Sequence, residues 1–126
     1  MSLDLNIPAV EQPGFSLRAV LDPAGLLRLR FTGSVDARAA PELEAFVRHV
    51  HAEVRRLGLP EVAIDLNGCS FINSSCLKAI LGWLAAIVEL PPEAQYKLRF
   101  EWNDGAYWQR RGLQALQAYA PQLVQL

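Results

Sequence analysis

The stretch from Val62 to Leu90, VAIDLNGCSFINSSCLKAILGWLAAIVEL, constrains this chain more than any other. Val62 to Leu66 is short, nearly all apolar and bounded by loop residues, the pattern of a central strand covered on its faces. Ser74 to Leu90 has the length and apolar content of a core helix. Between them lie Asn73, Ser74, Ser75 and Cys76, small polar side chains at a helix N-terminus. The segments before this unit lead into it, and those after it support it.

Residues 1–14 hold Pro8, Pro13 and Gly14 and little periodicity, and read as a loose lead-in with an edge strand at Leu3 to Ile7. From Phe15 to Leu21 and again from Leu27 to Phe31, apolar and polar residues alternate as in a half-buried strand. Asp22-Pro23-Ala24-Gly25 supplies the turn of a hairpin. Gly33-Ser34-Val35-Asp36 leads into a helix from Ala39 to Leu57. Pro41 suits its first turn, Glu42 and Glu44 its positive end, and Arg55 and Arg56 its negative end. Leu43, Phe46, Val47, Val50, Val54 and Leu57 form its apolar stripe, and Gly58 and Pro60 stop it.

Beyond the central helix, Pro91-Pro92 forces a break and Tyr96 to Trp102 alternates as another strand. Asn103 or Asp104 caps a third helix carrying Trp108, Leu113 and Leu116, with Gly112 a break or a close-packing point. Pro121 ends it, and Gln122 to Leu126 forms a last strand. The order is β-β-α-β-α-β-α-β. It predicts a single α/β domain over 15–126 with packed helices. Its mixed sheet should have about four to five strands, parallel through right-handed crossovers apart from the first hairpin.

At 126 residues, 52% apolar and 20% charged, the chain is a globular domain without room for a second. Its net charge of −1 and scattered basic residues argue against nucleic acid or an anionic membrane as partner. No signal-peptide pattern opens the chain, and its longest apolar run is too short to span a bilayer, so a cytoplasmic protein is expected. The two cysteines, Cys69 and Cys76, make no disulfide scaffold. His49 and His51 diverge on a helix and are poorly spaced to share a metal, so no metal or cofactor is expected. Ser74 or Ser75 as a nucleophile would need a positioned base, yet both histidines lie on the first helix. The glycine-flanked elbow of a catalytic serine is missing as well. Catalysis is not expected.

Projected at 100° per residue, the central helix has a core face of Leu77, Ile80, Leu81, Leu84, Ile87 and Val88. The opposite face holds Ser75, Lys78, Gly82, Ala85, Ala86 and Glu89, with Ala79 and Trp83 on the border. That face is lightly charged for a solvated one and suits the close approach of another surface. The helix N-terminus offers unpaired N–H groups and a positive dipole end, and Asn73 and Ser74 are both good caps. Ser75 is then a first-turn hydroxyl. Phosphate there would be tolerated by the dipole, yet would add about −1.5 to −2 charges beside the dock. From spacing alone, the serine pair need do no more than cap.

Gly33-Ser34-Val35-Asp36, Ala63-Ile64-Asp65-Leu66 and Phe71-Ile72-Asn73-Ser74-Ser75-Cys76-Leu77 together resemble the STAS domain family, which includes the bacterial anti-sigma-factor antagonists. The resemblance runs from about Phe15 to the C-terminus and matches the element order. It implies a non-enzymatic domain that binds a serine-kinase/anti-sigma protein through the loop and helix around the serine pair. Phosphorylation, by position at Ser75 and less readily at Ser74, would release the partner, and a PP2C-type phosphatase would reset the switch. The implied contacts are Asn73, Ser74, Cys76, Lys78, Ala79, Gly82, Trp83 and Ala86. Asn73 stands where the family usually has Asp, and Cys76 where it has Gly. The N-S-S motif and the segment from Trp108 to Tyr119 are similar to a divergent bacterial STAS-like subgroup.

Two other readings use the same residues. In one, the face is a constitutive adaptor without phosphoregulation. In the other, Cys76 is a redox-sensing thiol, its pKa lowered by the helix dipole, with Cys69 as its partner. Monomer and weak dimer both fit the sequence.

Overall fold

Alternating apolar residues close a hairpin through the Asp22–Gly25 turn, where Asp22 Oδ1 accepts from the backbone N–H groups of Ala24 and Leu26. The computed structural model describes residues 5–102 and 107–126. Its elements are β1 (Val10–Gln12), β2 (Phe15–Leu21), β3 (Leu27–Val35), α1 (Ala40–Leu57), β4 (Glu61–Asp65), β5 (Cys69–Ile72), α2 (Ser74–Val88), β6 (Lys97–Glu101), α3 (Tyr107–Tyr119) and β7 (Val124–Gln125). One mixed sheet runs β1-β2-β3-β4-β6-β7, with β5 beside the far end of β3. The pairs β1–β2 and β2–β3 are antiparallel, and all others are parallel.

The α/β architecture is the expected one, but the sheet has seven strands among the described residues. The lead-in strand falls at Val10–Gln12 against β2, not at Leu3 to Ile7; Ile7 is buried outside any strand, and residues 1–4 lie outside the described residues. The second addition, β5, occupies what reads as a loop. Its two middle residues, Ser70 and Phe71, are both exposed, so it shows no two-residue alternation. The capping pair Asn103 and Asp104 lies outside the described residues.

Register puts Leu27, Val62 and Leu98 in one row and Leu29, Ile64 and Phe100 in another, all buried. These rows and the helix stripes share one core. The intervening rows carry Arg28, Ala63 and Arg99, then Arg30, Asp65 and Glu101. On this second face Arg28 pairs with Glu101 across β4, Arg30 with Asp65 and Arg99 with Glu61. A ladder of ion pairs therefore takes the place of the second apolar cover expected for a central strand. The small Ala63 lets the long side chains cross above it.

The long strand β3 divides its pairing: Leu27–Arg30 matches β4, and Gly33–Val35 matches β5 after a register shift. Gly33 makes the shift, with φ at +82° and no room for a Cβ, which would collide with the Gly14 carbonyl oxygen. On α1, Leu43, Phe46, Val47, Val50 and Val54 are buried as expected, and Gly58 ends the helix in the left-handed conformation. Glu53 is buried on the same face. It accepts from the Asn6 backbone N–H and pairs with Arg56, holding the lead-in against α1.

Candidate functional site at the start of the central helix

The parallel end of β3 and the first turn of α2 are pinned together by backbone. Asn73 N–H donates to Val35 O at 2.8 Å, and Asn73 Oδ1 accepts from Ser75 N–H at 2.8 Å. Asn73 is extended, with φ −70° and ψ 153°, as an N-cap should be. The Asp36 carboxylate caps the next turn by accepting from Arg38 N–H, and the Arg38 guanidinium holds its pKa below the usual carboxylate range. The motifs around Gly33–Asp36 and Asn73–Cys76, far apart in sequence, thus meet at one corner.

With Asn73 as the cap, Ser74 and Ser75 are both exposed, and neither hydroxyl is hydrogen-bonded to another described residue. Lys78 and Gly82 are exposed and Ala86 half-buried, continuing the same stripe down α2. Phe71, 42% exposed, lies just before this turn and adds an apolar side chain that the motif reading did not single out.

The three remaining predicted contacts turn inward. Cys76 is 0% exposed, Trp83 3% and Ala79 8%, while Val88, expected in the core, is 42% exposed. The buried stripe is Cys76, Ala79, Ile80, Trp83, Leu84 and Ile87, a helix rotated from the simple projection. Two contacts fix that rotation. The Trp83 indole N–H donates to the buried Tyr96 hydroxyl at 2.7 Å, and Leu77 packs against Gly112, where a Cβ would sit 3.2 Å away. Gly112 is therefore a close-packing point within α3 and no break.

Cys76 Sγ–H donates to Asp36 O at 3.3 Å, so its side chain faces β3 and leaves the exposed stripe clear. Burial, followed by the Asp36 charge, pushes its thiol above the ordinary value, and burial pushes Cys69 up to about 11. Desolvation raises both thiols, opposing the thiolate that a redox sensor needs. Both cysteines are free.

Beneath the stripe a second polar network links the two helices. Tyr96 Oη accepts from Trp83, a pure donor, and shares a second hydrogen bond of 2.7 Å with His51 Nδ1. His51 and Arg55 on α1 face Lys78, Gly82 and Trp83 on α2 across a groove of about 550 Å³. Their spacing along α1 was readable as one face, but nothing local marked its partner. Gln109 on α3 is 2% exposed and donates to Leu66 O and Cys69 O, bracing the turn between β4 and β5. Among the described residues no group of His, Cys, Asp and Glu could hold a metal, and no helix is long and apolar enough to cross a membrane.

No protein-family model matches the sequence, and no curated protein is significantly similar to it. Among solved structures the chain is similar to an anti-sigma factor antagonist from Mycobacterium paratuberculosis. That likeness has 20% identity and a TM-score of 0.59, over 92% of this chain and 90% of that one. It is also similar to the Bacillus cell fate determinant SpoIIAA in its phosphorylated form, at 15% identity and a TM-score of 0.51. That match covers 86% of this chain and 87% of that one. The mixed sheet and three helices thus have the STAS-like fold seen in these anti-sigma factor antagonist structures.

Proposed function

We propose that this protein is a non-catalytic regulatory module that binds a signalling protein through residues 73–89, and that phosphorylation of Ser75 switches the binding. The partner class is the serine-kinase/anti-sigma type, with a PP2C-type phosphatase for reset, in the cytoplasm of a bacterium. The observation that carries this reading is the division of labour in the first turn. Asn73 caps, so the exposed Ser74 and Ser75 hydroxyls are both left without a structural task among the described residues, and the family resemblance makes Ser75 the one modified.

The dock is the exposed stripe through Ser74, Lys78, Gly82 and Ala86, with Cys76, Ala79 and Trp83 as its rigid floor. A phosphate on Ser75 would meet the positive end of α2 and leave the fold intact, while placing about −1.5 to −2 charges at the edge of the dock. The test is to express the serine kinases encoded near the gene and titrate each against the chain, with and without ATP. One should bind the unmodified chain and phosphorylate Ser75, and Ser75→Asp should weaken its binding. Phosphate on another residue overturns the switch. Unchanged binding by Ser75→Asp makes the dock a constitutive adaptor.

A further inference from the structure

The groove between α1 and α2 has an apolar interior and an unbalanced rim. Val47, Ala52, Ala79, Gly82, Trp83 and Ala86 supply apolar or featureless surface. Arg48, Arg55 and Lys78 stand along the groove against a single acid, Glu44. None of the three cations has a carboxylate within ion-pair distance among the described residues, whereas Arg28, Arg30, Arg38, Arg56 and Arg99 all do. Elsewhere on this molecule, arginines that face the sheet are neutralised by the protein itself. Along the groove none of the three cations is neutralised in that way.

The groove's volume, about 550 Å³, lies in the range of roughly 300–1,000 Å³ that small-molecule sites occupy. Arg48 and Arg55 are two helical turns apart on one face of α1, about 10 Å along the axis. His51 lies between them, with Nδ1 engaged by Tyr96. Burial and the neighbouring Arg55 charge lower its pKa, favouring the neutral imidazole. Gly82 leaves the opposite wall open, since a Cβ there would meet nothing within 4 Å.

We propose that this groove binds a free amphipathic carboxylic acid, its apolar body lying over Ala79, Gly82 and Trp83 and its carboxylate drawn to the cationic rim that Arg48, Arg55 and Lys78 line. Charge complementarity selects the anion, and the apolar interior selects its body. This site goes beyond the Ser75 switch and shares Lys78, Ala79, Gly82, Trp83 and Ala86 with the proposed dock, but neither a kinase nor a phosphate enters its test, so the two can fail separately.

The experiment titrates the isotope-labelled full chain with decanoate, decanol and decylammonium, and follows assigned amide resonances by NMR. Decanoate should shift residues 47–55 and 78–86 saturably, decanol should bind at least about tenfold more weakly, and decylammonium should not compete. Arg48→Gln combined with Arg55→Gln should weaken decanoate by about tenfold and leave decanol unchanged. Gly82→Leu introduces a better helix former whose side chain enters the groove, so it should keep the native spectrum and abolish the shifts. The proposal fails if decanoate moves no groove amide, if decanol binds equally well, or if Gly82→Leu leaves binding intact.

Discussion

Asn73 supports the proposed switch region through its peptide group and its side chain. Its N–H ties α2 to the end of β3, and its amide oxygen caps the helix, which frees Ser74 from that duty. Asn73→Ala should cost about 1 kcal/mol in urea unfolding, while Asn73→Asp should keep the cap and match or exceed wild type through the helix dipole. Equal loss in both variants would remove the side-chain oxygen as the cause. Glu53 offers a second residue-scale check. The Arg56 guanidinium, and then the Asn6 N–H, hold its pKa down from 4.5 to about 2. A carboxylate depressed on folding stabilises the fold above its unfolded pKa, and that stabilisation is lost as pH falls through the folded value. Wild type should therefore be more stable than Glu53→Gln at pH 7, with the gap closing between about 4.5 and about 2. A gap that is constant with pH would mean that Glu53 acts through packing alone.

At the scale of elements, α2 is held from below by a hydrogen bond that local sequence does not announce. Tyr96→Phe removes the hydroxyl that receives the Trp83 indole N–H and faces His51, leaving a buried donor unpaired. It should destabilise the protein by roughly 1–3 kcal/mol in urea unfolding, and a smaller loss would mean that the rotation of α2 is set elsewhere. The same bond explains why the buried face was misjudged. A helical projection places Trp83 on a border, and its indole swings inward because its acceptor lies on the strand side of the chain, beyond the Pro91-Pro92 break. The hairpin and α1 were legible because alternation, turn residues and end signals act over a few neighbours. The strand β5 was not, because it exists only through pairing with the extended end of β3. The rim cations of the groove were equally hidden, since their meaning depends on which carboxylates lie within reach in three dimensions.

Across the whole molecule, the apolar sheet face and three helices form one core, while the other sheet face is crossed by ion pairs. The exposed stripe of α2 and the α1–α2 groove lie away from this ion-paired face. The Gly33–Asp36 and Asn73–Cys76 motifs were legible as a pair from their resemblance, and the fold brings them to one corner. That the Ser74 and Ser75 hydroxyls are both left without a structural task among the described residues became clear only when Asn73 was found to cap. The account rests on a switch that changes binding without changing the fold. Its most direct test is to place phosphoserine at position 75 and measure both the melting temperature and the affinity for the kinase that modifies it. The account predicts an unchanged melting temperature with binding at least about tenfold weaker, a difference of about 1.4 kcal/mol. Equal affinity of the phosphorylated and unmodified chains would contradict it.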